Sequence, residues 1–145
     1  MVGAGPWMRE CISAVKASWD CWQNGTRLDF QGEHYRLNLT VPLFNPGPVA
    51  HPAIPIHLAA VNPYMCQVAG EAADGIRSHP VCIPRYIAEV MWLAARRGAA
   101  KTGRNIDGFA MSAMPLIATA ADAATLEGRA RDVRARVAFY ASTPA

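Results

Sequence analysis

Apolar runs and helical stripes alternate along the chain from residue 54 onward, and prolines mark where one gives way to the other. Ile54-Pro55-Ile56-His57-Leu58-Ala59-Ala60-Val61-Asn62-Pro63 is an apolar run closed by Asn-Pro, the pattern of a buried strand feeding a helix. Pro63 suits a first helical turn, residues 63–73 carry helical spacing, and Asp74-Gly75 stop that helix before a short strand at Ile76-Arg77-Ser78-His79. Two apolar strands joined by a crossover of about a dozen residues are expected to pair in parallel with right-handed connection, which predicts an α/β layered fold or barrel.

The pattern then repeats. Pro84 opens a helix with Ile87, Val90, Met91, Ala94 and Ala95 on one side, broken at Gly98 and the Lys101-Thr102-Gly103-Arg104 region. A third strand is predicted over 109–118, with a bulge or an early end at Pro115, which has no N–H for a ladder. Thr119 and Asp122 have the spacing of a capping box, and Leu126, Ala130, Val133 and Val137 form the expected buried stripe of a last helix reaching Tyr140.

Upstream, residues 6–24 read as an amphipathic helix with Trp7, Cys11, Val15, Ser18 or Trp19, and Trp22 near helical spacing and Gly25 as its stop. Leu28 and Phe30, then Tyr35, Leu37 and Leu39, alternate around a Gln31-Gly32-Glu33 turn and predict a hairpin. Pro42, Pro46, Pro48, Pro52 and Pro55 exclude a helix and favour an extended, lid-like loop. The expected division of 1–145 is a helix over 1–25, a hairpin and proline-rich loop over 26–54, and three β-α units over 55–145.

Composition narrows the function. The 145 residues are 52% hydrophobic, enough for a core, and a net charge of +3 with no Lys/Arg run longer than Arg96-Arg97 argues against nucleic-acid binding. No apolar stretch approaches the ~20 residues of a membrane span and the N-terminus lacks a signal-peptide pattern, so a cytoplasmic protein is expected. Cys11, Cys21, Cys66 and Cys82 form no C-x-x-C pair, which predicts reduced, mostly buried thiols and neither metal site nor disulfide framework. His57 is expected to be structural, and His34 and His51 solvated. Glu71 and Asp74 are read as solvated or helix-terminal, and Arg129, Arg131, Arg134 and Arg136 as the wet face of the last helix.

Successive blocks resemble the luciferase-like monooxygenase family, and its deazaflavin-dependent branch in particular. They are Arg9-Glu10, Trp19-Asp20-Cys21-Trp22-Gln23-Asn24-Gly25, Phe30-Gln31-Gly32-Glu33-His34-Tyr35, Pro42-Leu43-Phe44-Asn45-Pro46-Gly47-Pro48, the 54–61 strand, Ala69-Gly70-Glu71-Ala72-Ala73-Asp74-Gly75, Ser78-His79-Pro80 and Phe139-Tyr140-Ala141-Ser142-Thr143-Pro144. The resemblance implies a partial (β/α)8 TIM barrel, about strands five to seven with their helices plus a preceding helix and hairpin excursion. A whole barrel takes about 250 residues.

It further implies a segment of a flavin- or deazaflavin-dependent oxidoreductase, with hydride transfer or monooxygenation of a small organic substrate as the full activity. The family's catalytic side chains beside the reactive ring come from the first four strands, which have no counterpart here, so no catalytic residue is expected in this chain. The expected cofactor-binding residues are Ala59, Ala60, Val61, Asn62, Ser78 and His79. They would hold the phosphate and ribityl tail of coenzyme F420, or alternatively of FMN, through backbone N–H groups, a hydroxyl and a helix start. Asn62-Pro63 equally fits a helix cap alone. Two further readings stay open: a truncated, non-enzymatic paralogue acting by self-association or with a complementary barrel half, and a free-standing ligand-binding module with a sealed sheet edge.

Overall fold

The computed structural model describes residues 3–142, so the Thr143-Pro144 end of the last block lies outside the described residues. The chain runs α1 (Ala4–Asn24), a hairpin of β1 (Phe30–Gln31) and β2 (Arg36–Leu37), a 3-10 turn (Pro42–Phe44) and an extended segment into β3 (His57–Ala59). It continues through α2 (Pro63–Ala72), β4 (Gly75–Arg77), α3 (Pro84–Tyr86), a π-helical turn (Ile87–Met91), α4 (Trp92–Lys101), β5 (Ala110–Ser112) and α5 (Ala123–Ala141). β3, β4 and β5 form a parallel sheet in that order, as the two crossovers require.

Register explains which face is packed. Leu58, Ile76 and Met111 lie abreast and face the helices, while the rows His57–Gly75–Ala110 and Ala59–Arg77–Ser112 face the other way. Leu58 and Ile76 are buried with Cys66, Val68, Ala69, Met91, Ala94 and Ala95 in one core, to which α1 adds Ile12. His57, Ala59 and Arg77 on the opposite face are exposed.

The α2–α4 crossing is made by backbone meeting backbone. A Cβ on Gly70 would run into the Ala95 carbonyl, and one on Gly98 into the Gln67 carbonyl. Gly98 therefore lies inside a continuous helix, where the sequence suggested a break, because its missing side chain lets two helices touch. Gly75, expected to stop the helix just before the strand, itself opens β4: a Cβ there would meet the Ala110 carbonyl at 2.6 Å.

Other expectations are corrected. On α1 the buried positions are Gly5, Ile12, Ala14 and Cys21, while Trp7 is exposed, so the packed face is rotated from the tryptophan stripe. β5 spans only Ala110–Ser112, ending early as Pro115 suggested. The cap of α5 is Asp122 accepting from the Thr125 N–H and hydroxyl at 2.8 Å each, with Thr119 left outside it. The stripe Leu126, Ala130, Val133, Val137 is not buried: α5 has no buried residue, since no strand in register beyond β5 lies beneath it among the described residues. His34 stacks on Trp7 at 4.8 Å with a buried Nε2, held in a turn whose N–H groups at Glu33, His34 and Tyr35 all donate to Glu10.

Candidate functional site

At the carboxyl end of β3 the chain passes through Ala59, buried Ala60 and exposed Val61 into the cap of α2. Asn62 Oδ1 accepts from the Met65 N–H at 2.8 Å, and the Asn62 carbonyl accepts from the Cys66 N–H at 3.1 Å. Pro63 at the first position has no N–H, so the first turn presents few free donors to any ligand. The cap expected of Asn62 is thus formed through its side-chain oxygen, and its backbone N–H and side-chain Nδ2 are left for other work.

The neighbouring strand delivers the second loop beside the first, because Ala59 and Arg77 are register partners. Ser78 N–H donates to the Ser112 carbonyl at 2.9 Å, and the Ser112 hydroxyl donates to the Ile76 carbonyl at 3.2 Å, so β4 and β5 are stitched just where their ladder ends. Ser78 is 2% exposed and its hydroxyl is a buried oxygen with no hydrogen-bond partner. An orphaned buried hydroxyl costs about 1–3 kcal/mol, which a bound acceptor would recover. His79 Nδ1 accepts from the Val81 N–H at 3.3 Å, which puts the proton of the neutral ring on Nε2, and its ring meets Tyr140 edge-on at 4.5 Å.

Two groups that the sequence reading missed belong here. Tyr86 donates its hydroxyl to the Val61 carbonyl at 3.0 Å, and Ser112 closes the β5 side. The only sequence signal for Ser112 was a polar residue at the end of an apolar strand; Tyr86 had none. Cys66 is fully buried beside the same carbonyl, and burial, with the Cys82 thiol nearby, pushes its thiol up to about 11.

Charged side chains gather elsewhere: of the solvated or helix-terminal alternatives for Glu71 and Asp74, both lie at the end of α2, and Glu71 is not solvated. Glu71 is buried, accepting from Arg9 at 2.6 Å, Lys101 at 3.0 Å and Gln67 at 3.0 Å, so one carboxylate ties α1, α2 and α4 together. Burial alone would push its carboxyl up, but the hydrogen bonds from Gln67, Lys101 and Arg9 and the Arg9 charge hold it below the usual carboxylate value. Asp74 accepts from the Ile56 N–H at 2.9 Å and from Arg104 at 3.2 Å, at the amino end of the sheet. These are structural anchors.

A cavity of about 440 Å³ also lies at that amino end, between α1 and the proline-rich segment, lined by Lys16, Trp19, Gln23, Pro52 and Ile54 among others. Its polar groups are already engaged, Lys16 with the Ala72 carbonyl and Asp20 with Asn24 and Thr26. Among the described residues no cluster of His, Cys, Asp and Glu is placed to hold a metal ion, and no helix is long and apolar enough to cross a membrane.

Parallel strands with a helix after each, and small and hydroxyl residues gathered at their carboxyl ends, define an α/β protein of the β-α repeat class. The sequence profile of the luciferase-like monooxygenase family matches residues 5–144, and the chain belongs to that family. An uncharacterized protein of Mycobacterium tuberculosis is 41% identical over 138 residues, covering 95% of this chain and 41% of that protein. The F420-dependent glucose-6-phosphate dehydrogenases of Nocardia farcinica and M. tuberculosis are each 30% identical, over 100 and 102 residues, covering 69% and 70% of this chain. The chain spans 41% of the length of the first relative and 27% and 28% of the two dehydrogenases.

Proposed function

We propose that this chain is the strand-five-to-seven part of a luciferase-like (β/α)8 barrel and supplies the half of the pocket that grips the anionic tail of coenzyme F420, with FMN as the alternative. The observation that carries the reading is the orphaned Ser78 hydroxyl at the carboxyl end of β4, beside the β3 loop and the start of α2. Ala59 and Ala60 are small enough for a ligand to approach the backbone, and the Asn62 backbone N–H and side-chain Nδ2, the Ser78 hydroxyl and the His79 Nε2–H donate to phosphate. The F420 dependence of the two dehydrogenase relatives favours the deazaflavin. Bound there, the cofactor supplies hydride chemistry on a small organic substrate; this chain's residues hold its tail, and the groups beside the reactive ring belong to barrel strands outside this chain.

Calorimetric titration with FMN and riboflavin tests the reading. FMN binds more tightly than riboflavin, and Asn62→Ala with Ser78→Ala, which removes both side-chain donors and keeps the Asn62 backbone N–H, narrows the difference. Equal affinities, or FMN binding unchanged in the double variant, overturn it.

A second reading, a non-enzymatic subunit acting by association, is favoured by the open surfaces. α5 has no fully buried residue, Leu126, Val137 and Phe139 are 41%, 42% and 69% exposed, and His57, Ala59 and Arg77 are exposed on the sheet. Size-exclusion chromatography with light scattering decides: this reading expects dimers or larger species, and a sharp monomer with cooperative unfolding contradicts it.

A further inference from the structure

The Val61 carbonyl is approached from two helices. Tyr86 donates to it at 3.0 Å from a position 25 residues away, and the Cys66 thiol lies 3.9 Å from it. Helix geometry does not demand either contact, because the Asn62 side chain and carbonyl already satisfy the first turn of α2.

The consequence follows from peptide planarity. No cis peptide bond occurs among the described residues, so the Val61 C=O and the Asn62 N–H point in opposite directions within one rigid plane. Fixing the carbonyl on Tyr86 therefore fixes the direction of the Asn62 N–H, away from the Tyr86 hydroxyl.

Tyr86 is itself well held. Its ring packs against the core, and the π-helical turn Ile87–Met91 follows it directly, an arrangement that stacks residues five apart and so turns both Tyr86 and fully buried Met91 inward. Burial, with the Cys66 and Cys82 thiols nearby, raises the phenol above its ordinary value, so it stays a donor at neutral pH.

We infer that Tyr86 is a positioning residue: through the Val61 carbonyl it aims the Asn62 N–H at the phosphate of the bound tail. This rests on the reading of the 59–62 and 78–79 loops as the tail site.

The test uses the full chain labelled with 15N and titrated with inorganic phosphate, reading the Asn62 amide resonance. In the wild type that resonance moves saturably. Tyr86→Phe keeps the ring, the circular dichroism spectrum and riboflavin affinity, yet weakens phosphate about fivefold, the factor that one lost hydrogen bond represents. Tyr86→Met, which fills the space without a hydroxyl, shows the same loss, so a folding defect in one variant does not decide the result. Equal phosphate affinity in the wild type and the variants overturns the role of Tyr86 and leaves the tail site standing. A wild-type Asn62 resonance that phosphate does not move overturns the site and this inference together.

Discussion

The β3–α2–β4–α4 region and the β5–α5 region are built from the same kind of unit, yet one is packed and the other is not. In the first, α2 and α4 meet through Gly70 and Gly98, Ile76 and Val68 are fully buried, and Glu71 links three helices. In the second, a three-residue strand leads through 113–122 into a 19-residue helix with no buried residue. An amphipathic pattern thus states only that a helix can be buried; whether it is depends on what the sheet places beneath it. α2 and α4 pack on each other and on the central strand β4, whereas α5, which follows the edge strand β5, has no buried residue.

Matched substitutions in the two regions break or sharpen this contrast. The largest effect is expected at the crossing: Gly98→Ala forces a methyl into the Gln67 carbonyl and lowers stability by about 3 kcal/mol. Gly128→Ala on α5 meets nothing within 4 Å and gains about 0.5–1 kcal/mol from helix propensity. Urea unfolding of the two variants measures both signs; equal shifts would erase the distinction.

Next comes the buried carboxylate. Glu71→Gln leaves Arg9 and Lys101 without their anion and costs about 2–3 kcal/mol, less than a fully buried pair because both cations reach solvent. The folded-state pKa of Glu71 lies below its ordinary 4.5, so its stabilisation is complete above pH 4.5 and is lost as pH falls through the lower folded value. The urea midpoint of the wild type accordingly drops on acidification below pH 4.5, and Glu71→Gln flattens that drop. An unchanged acid limb in the variant contradicts the assignment.

Truncations separate the two regions. Leu58→Ala on β3 costs about 2 kcal/mol, whereas Leu126→Ala on α5, at a position 41% exposed, costs under about 0.5 kcal/mol. Asp122→Ala removes the α5 cap, worth about 1 kcal/mol, and speeds amide exchange in α5 without altering exchange in α2.

Legibility in the sequence followed the range of the forces involved. The β-α order, the Gly25 stop, the Asn62 cap and the early end of β5 rest on local chemistry, and all were readable from a few adjacent residues. The family was readable because many blocks stand in order, and the profile match over 5–144 agrees. Long-range partners were not readable. Glu71 looks like any helix carboxylate until Arg9, 62 residues away, folds against it, and Gly98 looks like a helix breaker until α2 arrives. The π-helical turn that orients Tyr86 has no composition signature, and the stripe expected to be buried on α5 has no surface to cover. Of the candidate site, the two loops were legible as neighbours; the orphaned Ser78 hydroxyl was not, since its burial depends on packing that only the fold supplies.

Hydrogen exchange read by mass spectrometry, with and without FMN, tests the placement of the tail most directly. Protection is expected in peptides covering 59–65 and 77–82 and absent from α5, whose amides exchange fast in both conditions. Protection confined instead to 16–24 and 46–55, around the 440 Å³ cavity beside Trp19, contradicts the assignment and moves the ligand to the opposite end of the sheet.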